Sequence, residues 1–282
     1  MRIIRQMRID DIPLGLELCR LADWNQVEAD WARLIALEPS GVFAVEEDGR
    51  VCGTASAICH GRDIAWIGMV LVHPDFRGKG IGSGLMARCI DYLHGKGVRA
   101  IKLDATDQGR GVYLKLGFVD EQPIWRMAAE NRPLAASSSP LSARVRAMVE
   151  GDWPGIAALD HEAFGADRTT LLRSLAQARP IRVVERDGRV AAFGLWRPGE
   201  VASFLGPAVA ADATAGEAIV HSLLRQMPPG RAYWDILPNN SAAVQLAKRL
   251  GFVEHRKLTR MCLGDAGAVT RQQVEAWPVA LD

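Results

Sequence analysis

The chain has 282 residues, of which 49% are apolar and 24% charged, and its formal net charge is +1. This balance is typical of a folded soluble protein and excludes a disordered chain, and it gives no indication of a nucleic-acid or membrane partner. The five cysteines are an odd number without a CxxC spacing, so we expect neither a disulfide framework nor a metal site.

The expected compartment is the cytoplasm. The first residues, MRIIRQMRIDDIP, carry charges where a signal peptide has its apolar core. Nowhere does the sequence approach the roughly 20 consecutive apolar residues of a membrane-spanning helix.

The first part of the chain predicts alternating helices and strands. Asp10 or Asp11 is a plausible N-cap before Pro13, and Asp48-Gly49 predicts a hairpin turn. The predicted elements are a strand over 2–5, helical segments within 11–37, and strands over 42–46 and 51–59.

A nearly continuous apolar run over residues 65–72 predicts a buried central strand. After it, the sequence predicts a helix over 83–94, a strand over 99–104, a helix over 110–116 and a closing strand near 118–127. These elements together define a mixed α/β fold.

The chain repeats itself. "LGF" occurs at 116–118 and 250–252, and each copy is followed at the same distance by Arg-Met, at 126–127 and 260–261. Two further pairs keep the same order: 4–13 with 145–154, and 42–55 with 181–194. We therefore predict a domain over 1–130, an Ala-, Ser- and Pro-rich linker over 131–142, and a second domain with a C-terminal tail over 143–282.

The stretch VLVHPDFRGKGIG (70–82) crowds Gly78, Gly80 and Gly82 between a buried strand and a helix. The first N–H groups of a helix lack intrahelical acceptors and carry the positive end of its dipole, so such a turn can hold phosphate. A tight turn with glycines needed for packing is the alternative. The spacing fits neither GxxxxGK[ST] nor GxGxxG.

Residues 77–82, RGKGIG, match [QR]-x-x-G-x-[GA], and GVYLKLGF follows at 111–118. With these motifs, residues 1–130 resemble the GNAT superfamily of N-acetyltransferases. The whole chain resembles two-domain members with a divergent, YitH/HolE-type second half. The resemblance implies tandem copies of a mostly antiparallel mixed sheet flanked by helices.

The resemblance also implies acetyl-CoA as the co-substrate. Its pyrophosphate would bind the backbone of Arg77, Gly78, Lys79, Gly80, Ile81 and Gly82. Val70, Leu71 and Val72 would pair with the pantetheine arm, and the N–H of Val70 would stabilise the developing oxyanion.

Tyr113 matches the family's general acid, which would protonate the leaving thiolate; an ordinary buried tyrosine is the alternative. Asp104 could accept the amine proton or could cap the turn that follows it. His73 has a suitable ordinary pKa, but its place before the glycine loop favours a positional role.

In this family the segment after the first strand walls the amine site, and here Trp24 and Asn25 are the predicted acceptor contacts. Asp23, Glu28 and Asp30 could attract a cationic amine, although a core tryptophan with solvated acids is equally consistent with the pattern. The acceptor is a small-molecule or protein amine, and a homodimer is left open.

The second repeat predicts a degenerate copy. Ala247 stands where the first repeat has Tyr113, and the stretch 204–218 lacks the glycine-loop pattern. Asn240 occupies the family's usual asparagine position, where the first repeat has Thr106. The leading hypothesis is an acetyltransferase acting through its first domain, and the alternative is a non-catalytic coenzyme A-binding sensor or interaction protein.

Overall fold

The computed structural model describes residues 2–131, 140 and 142–265. Residues 132–139 and 141 of the predicted linker, and residues 266–282 of the predicted tail, lie outside this range. The contacts divide the chain into two compact units. Within the described ranges, every helix is too short or too polar to cross a membrane.

Of the described residues, the first unit contains 2–121 and 260–265. Its strands are β1 (Arg2–Gln6), β2 (Val42–Glu47), β3 (Arg50–His60), β4 (Ile64–Val72), β5 (Ala100–Ala105) and the end of a strand, β12, that spans Val253–Gly264. They lie in the order β1-β2-β3-β4-β5-β12. The pairs from β1 to β4 are antiparallel and β4–β5 is parallel, so the predicted mixed sheet is confirmed, with the apolar run in its interior.

Four helices belong to the first unit: α1 (Ile12–Leu21), α2 (Glu28–Leu37), α3 (Ile81–Gly95) and α4 (Asp107–Lys115). Helix α4 begins three residues before the predicted start because the Thr106 hydroxyl accepts a hydrogen bond from Gly109 N–H and so caps the helix. Helix α3 begins two residues early, directly after Gly80.

The sheet of the first unit is covered on both faces. Helix α3 packs on one face, where its buried Leu85, Met86 and Cys89 join a cluster from β2 to β5. Helices α1 and α2 cover the other face, where fully buried Trp31 packs with β4 residues. Burial of an aromatic or aliphatic side chain of this kind contributes about 1.5–3 kcal/mol.

The second unit repeats this plan. Its strands are β6 (Val119–Asn131), β7 (Val145–Ala147), β8 (Arg182–Arg186), β9 (Arg189–Arg197), β10 (Ser203–Ala210) and β11 (Gly230–Ile236). Their order is β6-β11-β10-β9-β8-β7, with β10–β11 as the parallel pair. Its helices are α5 (Trp153–Phe164), α6 (Thr169–Ala178), α7 (Ala213–Gln226) and α8 (Ser241–Arg249).

Each unit includes strand residues that are encoded in the other repeat. The first unit includes residues 260–265, whereas most of β6, from Gln122, belongs to the second. Met261 is accordingly buried in the cluster beneath α3, and Met127 in the core of the second unit. This arrangement differs from the predicted boundaries, which assigned 1–130 and 143–282 to separate domains, because sequence similarity follows the repeat and packing follows the sheet.

Gly264 allows the exchanged strand to approach the start of β5. Its φ is +96°, and a Cβ there would overlap the carbonyl oxygen of Arg99. The next N–H, of Asp265, donates to that same oxygen at 3.0 Å. Glycine is therefore required at this position by both conformation and space.

Candidate active site

The glycine loop joins β4 to α3. A 3-10 turn over Pro74–Phe76 follows the strand, and then Gly78 and Gly80 adopt φ values of +74° and +77°. Such values are readily adopted only by glycine. Gly80 is the N-cap of α3 and provides no side-chain hydrogen bond.

The first turn of α3 is open to a ligand. The N–H groups of Ile81, Gly82 and Ser83 have no intrahelical acceptor, and none of the described residues supplies one. No heavy atom lies within 4 Å of where a Cβ would stand at Gly78 or Gly80. Free donors, the helix dipole and an unobstructed main chain fit the diphosphate of coenzyme A.

Basic side chains surround the loop. Lys79 Nζ lies 4.9 Å and the Arg50 guanidinium 5.8 Å from the centre of the Phe76 ring. Arg50 Nη2 is 3.0 Å from His73 Nε2, so the imidazole contacts a basic side chain beside the loop. Arg77 Nε donates to the carbonyl oxygen of Val72 at 3.1 Å, so this side chain joins the loop to the end of β4.

Strand β4 carries a bulge that is absent from the sequence-based predictions. Met69 has φ +55°, which is rare for a residue with a side chain. Thr54 Oγ1 donates to the Met69 carbonyl oxygen at 2.9 Å, and the register with β3 shifts between Thr54 and Ser56. Gly68, directly before Met69 in this otherwise apolar run, is the sequence signal for the bulge, because an isolated glycine inside a strand often marks one.

The bulge reverses the faces of β4. Before it, Ile67 packs in the α3 cluster; after it, Val70 and Val72 contact that cluster, whereas Leu71 packs on the α1–α2 side. This is the expected effect of one inserted residue. The structure thus separates Leu71 from Val70 and Val72, although the sequence predicts all three as cofactor contacts.

Strands β4 and β5 form a fork. Their pairing runs from Ile64–Ala100 to Trp66–Lys102 and then stops, although β4 continues to Val72 and β5 to Ala105. Beyond the last pair the facing backbone edges are not joined to each other. Such an opening can take an extended chain such as a pantetheine arm, which would hydrogen-bond to the edge of β4 that β5 no longer pairs with.

Tyr113 lies on α4 and contacts the same cluster as Val70 and Val72. Its ring centre is 6.2 Å from that of Phe118. Burial raises the pKa of Tyr113 to about 12, with a smaller contribution from Cys89, so the hydroxyl is protonated at neutral pH. Among the described residues nothing hydrogen-bonds to this hydroxyl, which leaves it available as a donor.

Gly109 makes room for that tyrosine. A Cβ at this position would stand 2.9 Å from Tyr113 Cε2 and 3.1 Å from its hydroxyl oxygen. The Tyr113 ring therefore packs closely against the backbone of Gly109, one turn earlier in the same helix. This contact is absent from the sequence-based predictions, although the i, i+4 spacing of Gly109 and Tyr113 is a signal for it.

The structure argues against Asp104 as the general base. Arg260 Nε and Nη2 donate to its two carboxylate oxygens at 2.9 and 3.1 Å, and the Asp104 side chain has no exposed surface. Both carboxylate oxygens are therefore engaged by Arg260, and the side chain has no surface open to an incoming amine. Removing one member of such a buried pair costs about 3–5 kcal/mol because the other charge remains buried. Asp104 does not cap a turn either, since Thr106 caps α4.

The predicted acceptor residues lie on the other side of the sheet. Trp24 is half-buried and packs with the cluster that contains Met69 and Leu71, and Asn25 beside it is also half-buried. Of the three acids, Asp30 is engaged: it accepts from Val27 N–H at 3.1 Å and from Arg33 Nη1 at 2.9 Å.

Asp23 and Glu28 are exposed, which leaves their charges available to attract a cation. Gln26 is absent from the sequence-based predictions, and its buried Oε1 has no hydrogen-bond partner among the described residues. No group of three or more His, Cys, Asp or Glu residues in the described part of the chain could hold a metal ion.

The corresponding positions of the second unit are closed. Asp212 caps α7 and accepts from Ala215 N–H at 2.9 Å, and Arg186 pairs with it at 2.6 Å. Burial acts to raise the pKa of Asp212, but these hydrogen bonds and the Arg186 charge hold it below its usual range. A carboxylate stands where the first unit presents Gly80, so this helix start repels phosphate. The position equivalent to Tyr113 is Ala247, which is fully buried.

Asn240 Oδ1 accepts from Ala243 N–H at 3.0 Å and so caps α8 as Thr106 caps α4. The second repeat therefore keeps the helix start of this element while its tyrosine is absent.

Two family models match the chain. One, described as the acetyltransferase (GNAT) family, matches residues 10–118, and the other, described as an acetyltransferase (GNAT) domain, matches residues 156–274. The chain therefore belongs to the GNAT acetyltransferase family, with one such domain in each repeat.

Two relatives are named as uncharacterised N-acetyltransferases. One, from Methanocaldococcus jannaschii, is 29% identical over 140 residues, which are 43% of this chain and 62% of that protein. YitH of Bacillus subtilis is 26% identical over 182 residues, which are 64% of this chain and 63% of that protein. The chain thus matches less than two thirds of the length of either relative.

Solved structures share the fold of the chain. A putative acetyltransferase from Pyrococcus horikoshii aligns over 98% of this chain and 92% of its own, with a TM-score of 0.81 and 23% identity. A tandem GNAT protein from the clavulanic acid biosynthesis pathway aligns over 94% of this chain and 98% of its own, with a TM-score of 0.67 and 14% identity. The tandem arrangement of the fold is therefore shared with these proteins.

Proposed function

We propose that the first unit transfers an acetyl group from acetyl-CoA to a primary amine. The observation that carries the proposal is the start of α3, where glycines leave the main chain open and Ile81, Gly82 and Ser83 present free N–H groups. This start lies at the end of the strand that forms the fork with β5. The names of the relatives, N-acetyltransferases, agree with this chemistry.

The proposed contacts follow from the site. The loop amides would hold the pyrophosphate, with Lys79 and Arg77 adding positive charge, and acetyl-CoA would supply the activated acyl group. The N–H of Val70, just past the bulge, would stabilise the negative charge that develops on the thioester carbonyl oxygen.

In the proposed reaction a neutral amine attacks the carbonyl carbon, a C–N bond forms and the C–S bond breaks. The Tyr113 hydroxyl, protonated at neutral pH because of its raised pKa, donates to the departing sulfur. The proton that the amine loses passes to water, since Asp104 is enclosed by Arg260.

The acceptor is proposed to approach from the α1–α2 side. Trp24 offers an apolar surface and Asn25 a directional hydrogen-bonding group, while exposed Asp23 and Glu28 attract a cation. Polyamines, amino acids, amino sugars and lysine side chains all satisfy these conditions.

A calorimetric titration of the full chain with acetyl-CoA tests the proposal. We expect one site per chain, because Asp212 closes the equivalent helix start in the second unit. Two sites would contradict the proposed degeneracy of the second unit, and no binding would overturn the proposed function.

The second measurement is thiol release from acetyl-CoA in the presence of each amine class. Release with at least one class supports the enzyme. Binding without release for every class would favour the non-catalytic coenzyme A-binding protein instead.

A further inference from the structure

Arg260 comes from the second repeat but acts inside the first unit. Its guanidinium binds both carboxylate oxygens of Asp104 on β5. It also lies 4.7 Å from the centre of the Trp66 ring on β4. One side chain therefore connects the two strands of the fork.

The position of this contact along the fork is specific. Trp66 belongs to the last hydrogen-bonded pair of β4 and β5, and Asp104 lies two residues beyond its partner Lys102. Arg260 thus bridges the strands where backbone pairing ends and the opening begins. The Arg260 side chain is 6% exposed and that of Asp104 is not exposed, so the ion pair is shielded from water. The low local dielectric strengthens the attraction between the two charges.

The second unit contains an equivalent arginine bridge but lacks the glycine loop and the tyrosine. Arg126 Nε and Nη2 bind Asp235 of β11 at 2.8 and 2.7 Å, and its guanidinium lies 5.5 Å from the Phe204 ring. Phe204 belongs to the last pair of β10 and β11. Because the second unit has neither the glycine loop nor the tyrosine, Arg126 serves as a natural control for what such a bridge does for folding alone.

We propose that Arg260 is a positioning residue for acetyl transfer: it sets the separation of β4 and β5 that receives acetyl-CoA. This inference rests on the proposed function. It gives the second repeat a role in the catalytic unit, because the strand that completes that unit, and the arginine on it, are encoded in the repeat that has lost its own site.

The test compares two matched double variants of the full chain. R260Q/D104N neutralises the bridge of the first unit, and R126Q/D235N neutralises its counterpart in the second, so neither leaves a single buried charge. Arg260→Lys is the conservative companion, which keeps the cation but loses the planar fork. If R260Q/D104N does not fold, Arg260→Lys is measured in its place.

Two readouts are taken on each variant. The first is hydrogen exchange of residues 67–72 and 103–105 in the free protein, and the second is the Kd for acetyl-CoA. We expect R260Q/D104N to speed exchange at the fork and to weaken binding about tenfold or more, because small misplacements at a binding site are costly. Arg260→Lys should change both in the same direction by less. R126Q/D235N should change neither the exchange rate at the fork nor the Kd by more than about twofold. We expect this even if its unfolding midpoint falls as much as that of R260Q/D104N.

The outcomes separate the inference from the proposed function. Unchanged exchange and affinity in R260Q/D104N, or equal changes in R126Q/D235N, would overturn the positioning role. Wild-type protein that does not bind acetyl-CoA, while fork exchange still distinguishes the two variants, would overturn the function and leave Arg260 as the residue that sets the fork.

Discussion

At the scale of single residues, Tyr113 carries the most specific chemistry. Its hydroxyl has no hydrogen-bond partner among the described residues, and burial raises the pKa of Tyr113 to about 12. Tyr113→Phe removes one oxygen and keeps the ring that contacts Phe118. We expect the variant to bind acetyl-CoA as the wild type does and to lose about a hundredfold or more in kcat, the range of general-acid catalysis.

The measurement is the steady-state rate of thiol release as a function of pH. Because the acid form of Tyr113 is the active one, its loss would reduce the wild-type rate only as pH approaches about 12. An alkaline limb near neutrality that disappears in Tyr113→Phe would contradict the raised pKa. An unchanged rate in the variant would remove Tyr113 from the mechanism.

Gly109 and Gly111 form a second test at this scale. Both are in α4, and alanine at either should favour the helix by up to about 1 kcal/mol. Only Gly109→Ala meets the Tyr113 ring, whereas nothing lies within 4 Å of a Cβ at Gly111. We expect Gly109→Ala to lower kcat several-fold by displacing the hydroxyl, and Gly111→Ala to keep the wild-type rate. Equal rates in the two variants would show that the ring position is not limiting.

At the scale of elements, the join of β4 and α3 depends on glycine conformation. Gly80→Ala would place a side chain at φ +77° at the N-cap of α3, a strain of about 1–2 kcal/mol. The loop would relax away from its present path, so we expect the Kd for acetyl-CoA to rise about tenfold, as the calorimetric titration would show.

Gly95→Ala, at the other end of the same helix, is the control. Its Cβ would meet nothing within 4 Å and its φ is not positive. The variant should bind acetyl-CoA normally and be stabilised by up to about 1 kcal/mol in chemical denaturation. Normal binding by Gly80→Ala would instead show that the loop conformation is dispensable.

At the scale of the whole molecule, each unit contains an equivalent arginine–aspartate ion pair whose contribution to stability depends on acid pH. In the first, hydrogen bonds from Arg5 hold the pKa of Asp11 below its usual range against the opposing effect of burial. In the second, Arg146 does the same for Asp152. A depressed carboxyl pKa contributes stability above the unfolded pKa near 4, and this stability is lost as pH falls through the folded value.

We therefore expect both units to be destabilised below about pH 4. Asp11→Asn and Asp152→Asn should each lower the free energy of unfolding at pH 7 by about 2 kcal/mol. Each should also flatten the dependence of stability on pH in that acid range. Urea titrations at several pH values check this. A variant that is less stable at neutral pH but equally sensitive to acid would exclude its pair as the source.

Much of the fold could be predicted from the sequence, because the signals are local. The continuous apolar run of β4, the Asp48-Gly49 turn and the helical period before Gly95 each depend on residues close together in the chain. The glycine loop and Tyr113 could be predicted for the same reason, since each has a short motif with fixed spacing. The repeat could also be predicted, because its matching motifs are visible in the amino-acid sequence.

Tertiary structure alone decided the rest. The bulge at Met69 depends on a hydrogen bond from Thr54, which lies on the neighbouring strand. The fate of Asp104 depends on Arg260, 156 positions away. No local pattern predicts which unit's sheet each of these strands joins, because both repeats carry the same Arg-Met pair at the equivalent position. The sequence by itself determined the elements, the repeat and the cofactor motif; the assembled sheets decided which carboxylate is enclosed and which arginine bridges the strands.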